Sequence, residues 1–142
     1  MKTPLLLLAA STLLVFAGCE KTTSAPQSQE VLLTKTWKRG MQDKNTSTNP
    51  ANVIFYPVQS CEQDDTFRFR ADGTVLIDRG AIKCSQGESQ TVTQAYSINR
   101  ITNELTLDGQ KFKLLEETGQ QVKYAAQLSP GTGYSYQIFL LQ

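Results

Sequence analysis

The sequence contains no histidine. That removes the commonest metal ligand and the side chain whose unperturbed pKa lies nearest neutrality, so the usual general base is missing. Cysteine is scarce, at three residues, and there is one tryptophan. An excess of one charge sign is lacking too. The formal net charge is +1, with no basic cluster anywhere along the chain. Nucleic-acid binding needs concentrated positive charge, so neutrality argues against such a partner and against a purely electrostatic hold on a membrane. Beyond residue 18, no segment keeps apolar residues at helical spacing for three turns, which excludes a helical bundle. The longest apolar-to-small run covers 12 residues, 5–16. That is too short for the roughly 20 residues of a membrane-spanning helix.

That 12-residue run lies near the beginning of the chain. It follows Met1 and the basic Lys2, and its length suits the core of a signal peptide. Phe16-Ala17-Gly18-Cys19 resembles the lipobox of bacterial lipoproteins, with Phe16 where leucine is usual. The resemblance implies that residues 1–18 are a leader cut before Cys19, whose thiol carries lipid. Each buried CH₂ of such a lipid contributes about 0.8 kcal/mol of anchoring. The membrane is then a partner through Cys19, and the expected location is the cell envelope, at the outer membrane. Residues 19–30 form the lipidated cysteine and its tether, rich in Ser, Thr, Gln and Pro from 22 to 29. Residues 31–142 remain as one domain. Once Lys2 leaves with the leader, acidic and basic side chains balance.

Acylation of Cys19 leaves Cys61 and Cys84. An even pair in an oxidising compartment predicts a disulfide, limiting the unfolded chain by roughly 3 kcal/mol. Between them lies the clearest local pattern. Phe67 and Phe69 alternate with Arg68 and Arg70 ahead of Ala71-Asp72-Gly73, and Val75 and Ile77 follow. A two-residue turn would place Val75 and Ile77 on the arginine face. A three-residue loop with Gly73 at positive φ instead opposes Phe69 to Val75 and Phe67 to Ile77, so burial selects the longer loop. At Asp108-Gly109 the same parity favours a two-residue type I′ turn opposing Leu105 to Phe112.

Other segments read similarly. Residues 31–39, anchored by Trp37, are expected to be the first strand, and residues 40–52 a loop. Residues 53–56 are a helical turn or an edge strand, with both left open before Pro57. Tyr96 and Ile98 alternate, as do Leu105 and Leu107, Phe112 and Leu114, and Val122 and Tyr124. The last strand, 134–141, is expected to turn Tyr134, Tyr136, Ile138 and Leu140 inward. Six to eight short strands joined by tight turns predict an all-β antiparallel sheet. The expected architecture is a small up-and-down β-barrel closed by pairing of the 31–39 and 134–141 strands, with a sandwich as the rival.

The order of signals resembles the lipocalin-like domain of small lipoproteins from Bacteroidetes-type bacteria. It is carried by the lipobox, Leu33-Thr34-Lys35-Thr36-Trp37, Cys61-Glu62-Gln63-Asp64-Asp65, Asp72-Gly73-Thr74, Cys84, Tyr96-Ser97-Ile98 and Leu105-Thr106-Leu107. Lys35 stands where that family tends to have glycine. The resemblance implies a lipocalin-like barrel with an apolar interior and supplies no catalytic residues. The functional expectation is non-enzymatic binding of a small apolar ligand, with no cofactor and no metal. The alternative is a structural or interaction module whose partner is an envelope protein. Asp64 and Asp65 lack the spaced oxygen ligands of a calcium loop and read as a strand-entry turn capping backbone amides. Trp37 reads as a core anchor. Ser85 has no base to activate it.

Overall fold

The structure, a computed structural model, describes residues 29–142, so the leader, Cys19 and the tether up to residue 28 lie outside the described residues. One turn of helix, α1 (Gln29–Leu33), precedes nine strands: β1 (Trp37–Lys38), β2 (Val53–Phe55), β3 (Thr66–Phe69), β4 (Thr74–Asp78), β5 (Thr91–Asn99), β6 (Glu104–Leu107), β7 (Gln110–Glu117), β8 (Val122–Gln127) and β9 (Tyr136–Leu141). They form a single half-barrel sheet in the order β1-β3-β4-β5-β6-β7-β8-β9-β2. From β3 to β9 each strand pairs antiparallel with the next, as short turns dictate.

The two glycine turns hold the register that burial requires. Phe67 faces Ile77 and Phe69 faces Val75 across β3–β4. Gly73 sits at φ 80°, where a side chain would be strained. Leu107 faces Gln110 and Leu105 faces Phe112 across β6–β7. Asp108 and Gly109 both take positive φ, at 47° and 81°, as a type I′ turn demands.

Three features depart from the sequence reading. First, residues 31–33 are helical rather than the start of a strand, and β1 is only two residues long. Leu32 is fully buried, and Val31 and Leu33 also pack on the same core cluster. A strand would send alternate residues to opposite faces, so three successive contacts with one core need a helical turn. The Trp37 indole N–H donates to the Leu32 carbonyl at 3.0 Å and fixes that turn. Secondly, β2 is an edge strand that pairs parallel to β9, so the sheet is not a pure meander. The long 40–52 connection makes that crossing possible. Thirdly, β9 begins at Tyr136, leaving Tyr134 exposed ahead of it, and its inward residues are Phe139 and Leu141, not Tyr136, Ile138 and Leu140.

The third departure has a clear cause. The β8–β9 part of the sheet is apolar on both faces. Its inner side joins Trp37, Phe67, Val75, Leu105, Val122 and Tyr124 in the main core. On its outer side Ala125, Ile138 and Leu140 pack with Val53, Leu115 and Tyr136. A strand buried on both sides has no polar alternation to betray its parity.

The expected pairing of the first and last strands occurs at the end of β1, around an antiparallel bridge between Arg39 and Leu141. Lys38 and Gln142 exchange two backbone bonds of 2.9 Å, and the Gly40 N–H donates to the Leu140 carbonyl at 2.9 Å. These bonds join the β1 side of the curved sheet to β9. Gly40 allows the approach, because a Cβ there would strike Leu140 and Gln142.

Candidate functional site: a lined interior cavity

Period two along the strands decides which polar side chains enter the interior. Trp37 points inward, so Arg39 two residues later shares its face. Arg79 follows Ile77 by two, and Gln94 precedes Tyr96 by two. Each therefore lies among apolar inward residues, and all three line the interior space.

That space comprises a partly enclosed cavity of about 130 Å³ and, adjoining it, a more open cleft of about 320 Å³, which share Arg39, Gln94, Leu107 and Tyr124. Phe67, Phe69, Val75 and Ile77 wall the smaller one. Phe112 and Phe139 wall the larger, with Asp108 and Gln110 at its exposed rim. Volumes of this order stand at the lower limit for small-molecule pockets. Leu32, Trp37, Leu105 and Val122 are fully buried and line neither space, so the α1 end of the interior is solid. Lys35 Nζ lies 4.2 Å from the centroid of Trp37 and covers that end.

The polar groups of the cavity differ in their partners. Arg39 Nη1 donates to Tyr124 Oη at 3.0 Å. Its guanidinium lies 4.7 Å from the Phe67 ring centroid and 5.5 Å from that of Tyr56. Burial raises the Tyr124 pKa above the ordinary 10.0, outweighing the nearby Arg39, so the phenol keeps its proton. Tyr124 stacks on Phe139 at 5.3 Å and meets Phe112 edge-on at 5.2 Å, while Tyr56 stacks on the same Phe139 at 4.9 Å. Arg79, by contrast, is neutralised. It binds Asp65 at 3.1 Å and Glu88 at 3.3 Å. Burial raises the Asp65 pKa despite that arginine.

The disulfide closes over this charged end. Cys61 and Cys84 are bonded, with Cα atoms 5.2 Å apart, as the sequence predicts. Their bond ties the turn before β3 to the loop after β4. Asp64 accepts from the Ala81 and Ile82 amides at 2.7 and 3.3 Å, and Glu88 accepts from the Cys84 amide at 3.1 Å. Asp64 thus caps amides as expected, but those of the distant loop rather than of its own turn. Asp65 does not cap; it is the buried partner of Arg79. Trp37 is a core residue, while Ser85 lies exposed.

A second polar cluster sits on the outer face of β8. Lys123 is fully buried beneath the 43–49 loop, where its ammonium reaches Asp43 at 2.8 Å, Thr48 at 2.9 Å, Asn49 at 2.8 Å and the Asn45 carbonyl. Glu116 lies 3.7 Å away. Fully buried Gln121 joins in, donating to Asp43 at 2.9 Å and accepting from the Lys44 amide at 3.0 Å. Every donor of Lys123 is matched, so the cluster clamps a loop and leaves nothing to offer a ligand.

Sequence reasoning missed Arg39, Arg79 and Gln94 as interior residues. Their signal was available in parity, because each lies two positions from an aromatic or aliphatic residue already assigned inward. Lys123 carried no such signal, since the loop that buries it is distant in sequence. The interior can enclose an apolar body and present a guanidinium, a phenol and an amide to it. No family model matches the chain, and no curated protein or solved structure is similar to it.

Proposed function

We propose that this chain is an envelope lipoprotein, anchored to the outer membrane through lipid on Cys19, whose domain binds a small apolar ligand without catalysing a reaction. In this reading the sheet and its 38–40 to 140–142 bonds make a closed, lipocalin-like up-and-down barrel. The interior cavity walled by Phe67, Val75, Ile77 and Leu107 is the observation that carries it. Side chains that fill the α1 end leave the other end hollow, and its aromatic and aliphatic walls, broken by Arg39, Arg79 and Gln94, suit an apolar guest with a polar group. A non-enzymatic role also fits a chain with no histidine, whose Cys61 and Cys84 are joined to each other.

Titration with N-phenyl-1-naphthylamine, a neutral dye bright only in apolar surroundings, tests the binding role. One saturable site per chain is expected; a linear, unsaturable rise contradicts it. The anchor is tested separately by metabolic labelling with a palmitate analogue, which is expected to mark the wild type and not Cys19→Ser. Equal labelling of both refutes acylation at Cys19. The alternative, an interaction module for an envelope protein, draws on Met41, Ile54 and Phe55, large apolar side chains exposed around the edge strand β2.

A further inference from the structure

Arg39 is the exception among the cations drawn into this fold. Lys123 meets Asp43, Arg79 meets Asp65 and Glu88, and Arg100 meets Glu117 at 3.0 Å. Among the described residues, no carboxylate lies within the 4.0 Å of an ion pair with Arg39. Its Nε is buried without a hydrogen-bond acceptor, as are those of Arg79 and Arg100, so the missing carboxylate is what sets Arg39 apart. The Glu62 carboxylate is held elsewhere, by the Tyr56 hydroxyl at 2.9 Å and the Gln59 amide at 3.0 Å. Arg39 is half-buried, and Asp65 feels its charge only from beyond ion-pair distance, so an anion entering the cavity would be its first close ionic partner.

The surroundings define that anion. Tyr124 Oη accepts the Arg39 bond and donates to no acceptor among the described residues, so its own proton is free. A guanidinium edge and a phenol proton then converge, which suits the two oxygens of a carboxylate. Beyond them the walls of the smaller cavity are aromatic and aliphatic, broken only by the neutral Gln94 and by Arg79, which is already ion-paired. We propose that the ligand of this cavity is a small monocarboxylate, its head seated between Arg39 and Tyr124 and its apolar body against Phe67, Val75, Ile77 and Leu107. The proposal deepens the binding role above and rests on it. Arg79, already neutralised by two carboxylates, takes no part in holding the head.

Calorimetric titration of the full-length protein with octanoate and with 1-octanol separates head from body. Octanoate is expected to bind about ten- to a hundredfold more tightly, the range of a charge-assisted hydrogen-bonded contact. Arg39→Met is expected to reduce octanoate to the level of octanol, with a wild-type far-UV circular dichroism spectrum showing that the variant folds. Tyr124→Phe, which removes one hydroxyl from a retained ring, is expected to lose about fivefold for octanoate alone; it carries the test if Arg39→Met does not fold. Equal wild-type affinity for the two compounds overturns the carboxylate seat and leaves an apolar pocket standing. An octanoate preference that survives Arg39→Met overturns it equally. Binding of neither compound overturns the pocket along with its head-group site.

Discussion

Asp43→Ala is expected to destabilise the domain by about 3 kcal/mol, a fall of about 10–15 °C in Tm. Lys123 has no exposed side-chain surface and Asp43 only 5%. Removing the acid strands an ammonium among neutral oxygens, and Glu116, 3.7 Å away, is placed to offset part of the loss. The double variant Asp43→Leu, Lys123→Met is expected to lose less than Asp43→Ala, because it also removes the charge that needed a partner. A double variant less stable than Asp43→Ala would mean that the clamp itself, not the stranded charge, dominates.

The same pair sets an acid limit. Burial alone would raise the Asp43 pKa, but the bond from Lys123, with those from Asn45, Asn49 and Gln121, outweighs it and holds the carboxyl at about 2, against an ordinary 3.8. A folded-state pKa below the unfolded value stabilises fully above about pH 4, and the stabilisation is lost as pH falls through about 2. Chemical unfolding of wild type should therefore weaken over that window, and Asp43→Asn should show a flatter acid limb. Parallel limbs would detach acid sensitivity from Asp43.

Loss of the disulfide is the second large effect. Cys61→Ala and Cys84→Ala should each cost about 2–5 kcal/mol, measured by urea unfolding. The bond spans a sequence separation of 23 and pins the 60–65 turn to the 79–90 loop. That junction has little else to hold it: Asp64 to two amides, Asp65 and Glu88 to Arg79. Gly80, at φ 64°, completes it, because a Cβ there would collide with the Asp64 carboxylate. Both single variants remove the same bond, so the double variant should match them within about 0.5 kcal/mol. Additive losses would show that each cysteine acts through packing instead.

How much of this was legible in the sequence depended on whether one face of a strand stayed wet. The β3–β4 and β6–β7 registers were readable because Arg68, Arg70, Thr106 and Lys111 mark a solvent face. On β9 the second apolar cluster erased that contrast, and the inward parity was misassigned. The α1 turn was hidden because three consecutive apolar residues suit a strand or a helix equally, and only the plug they form decides. The parallel pairing of β2 depends on a long crossing that no local pattern encodes. At the site, the walls Phe67, Phe69, Val75 and Ile77 were readable, as was the disulfide beside them. The charges inside were not found, because arginine in a strand ordinarily marks the outer face.

Leu107→Trp tests most directly the proposal that this interior takes a small apolar guest. Leu107 is half-buried and borders both cavities, so an indole there occupies the space without being forced into packed core. Wild type and variant are titrated side by side with N-phenyl-1-naphthylamine. The account predicts saturation near one dye per chain for wild type and at least about tenfold weaker binding for Leu107→Trp, with Tm changed by no more than about 3 °C. Equal affinity in the two proteins would contradict it and place the dye outside this interior, at the exposed apolar side chains around β2.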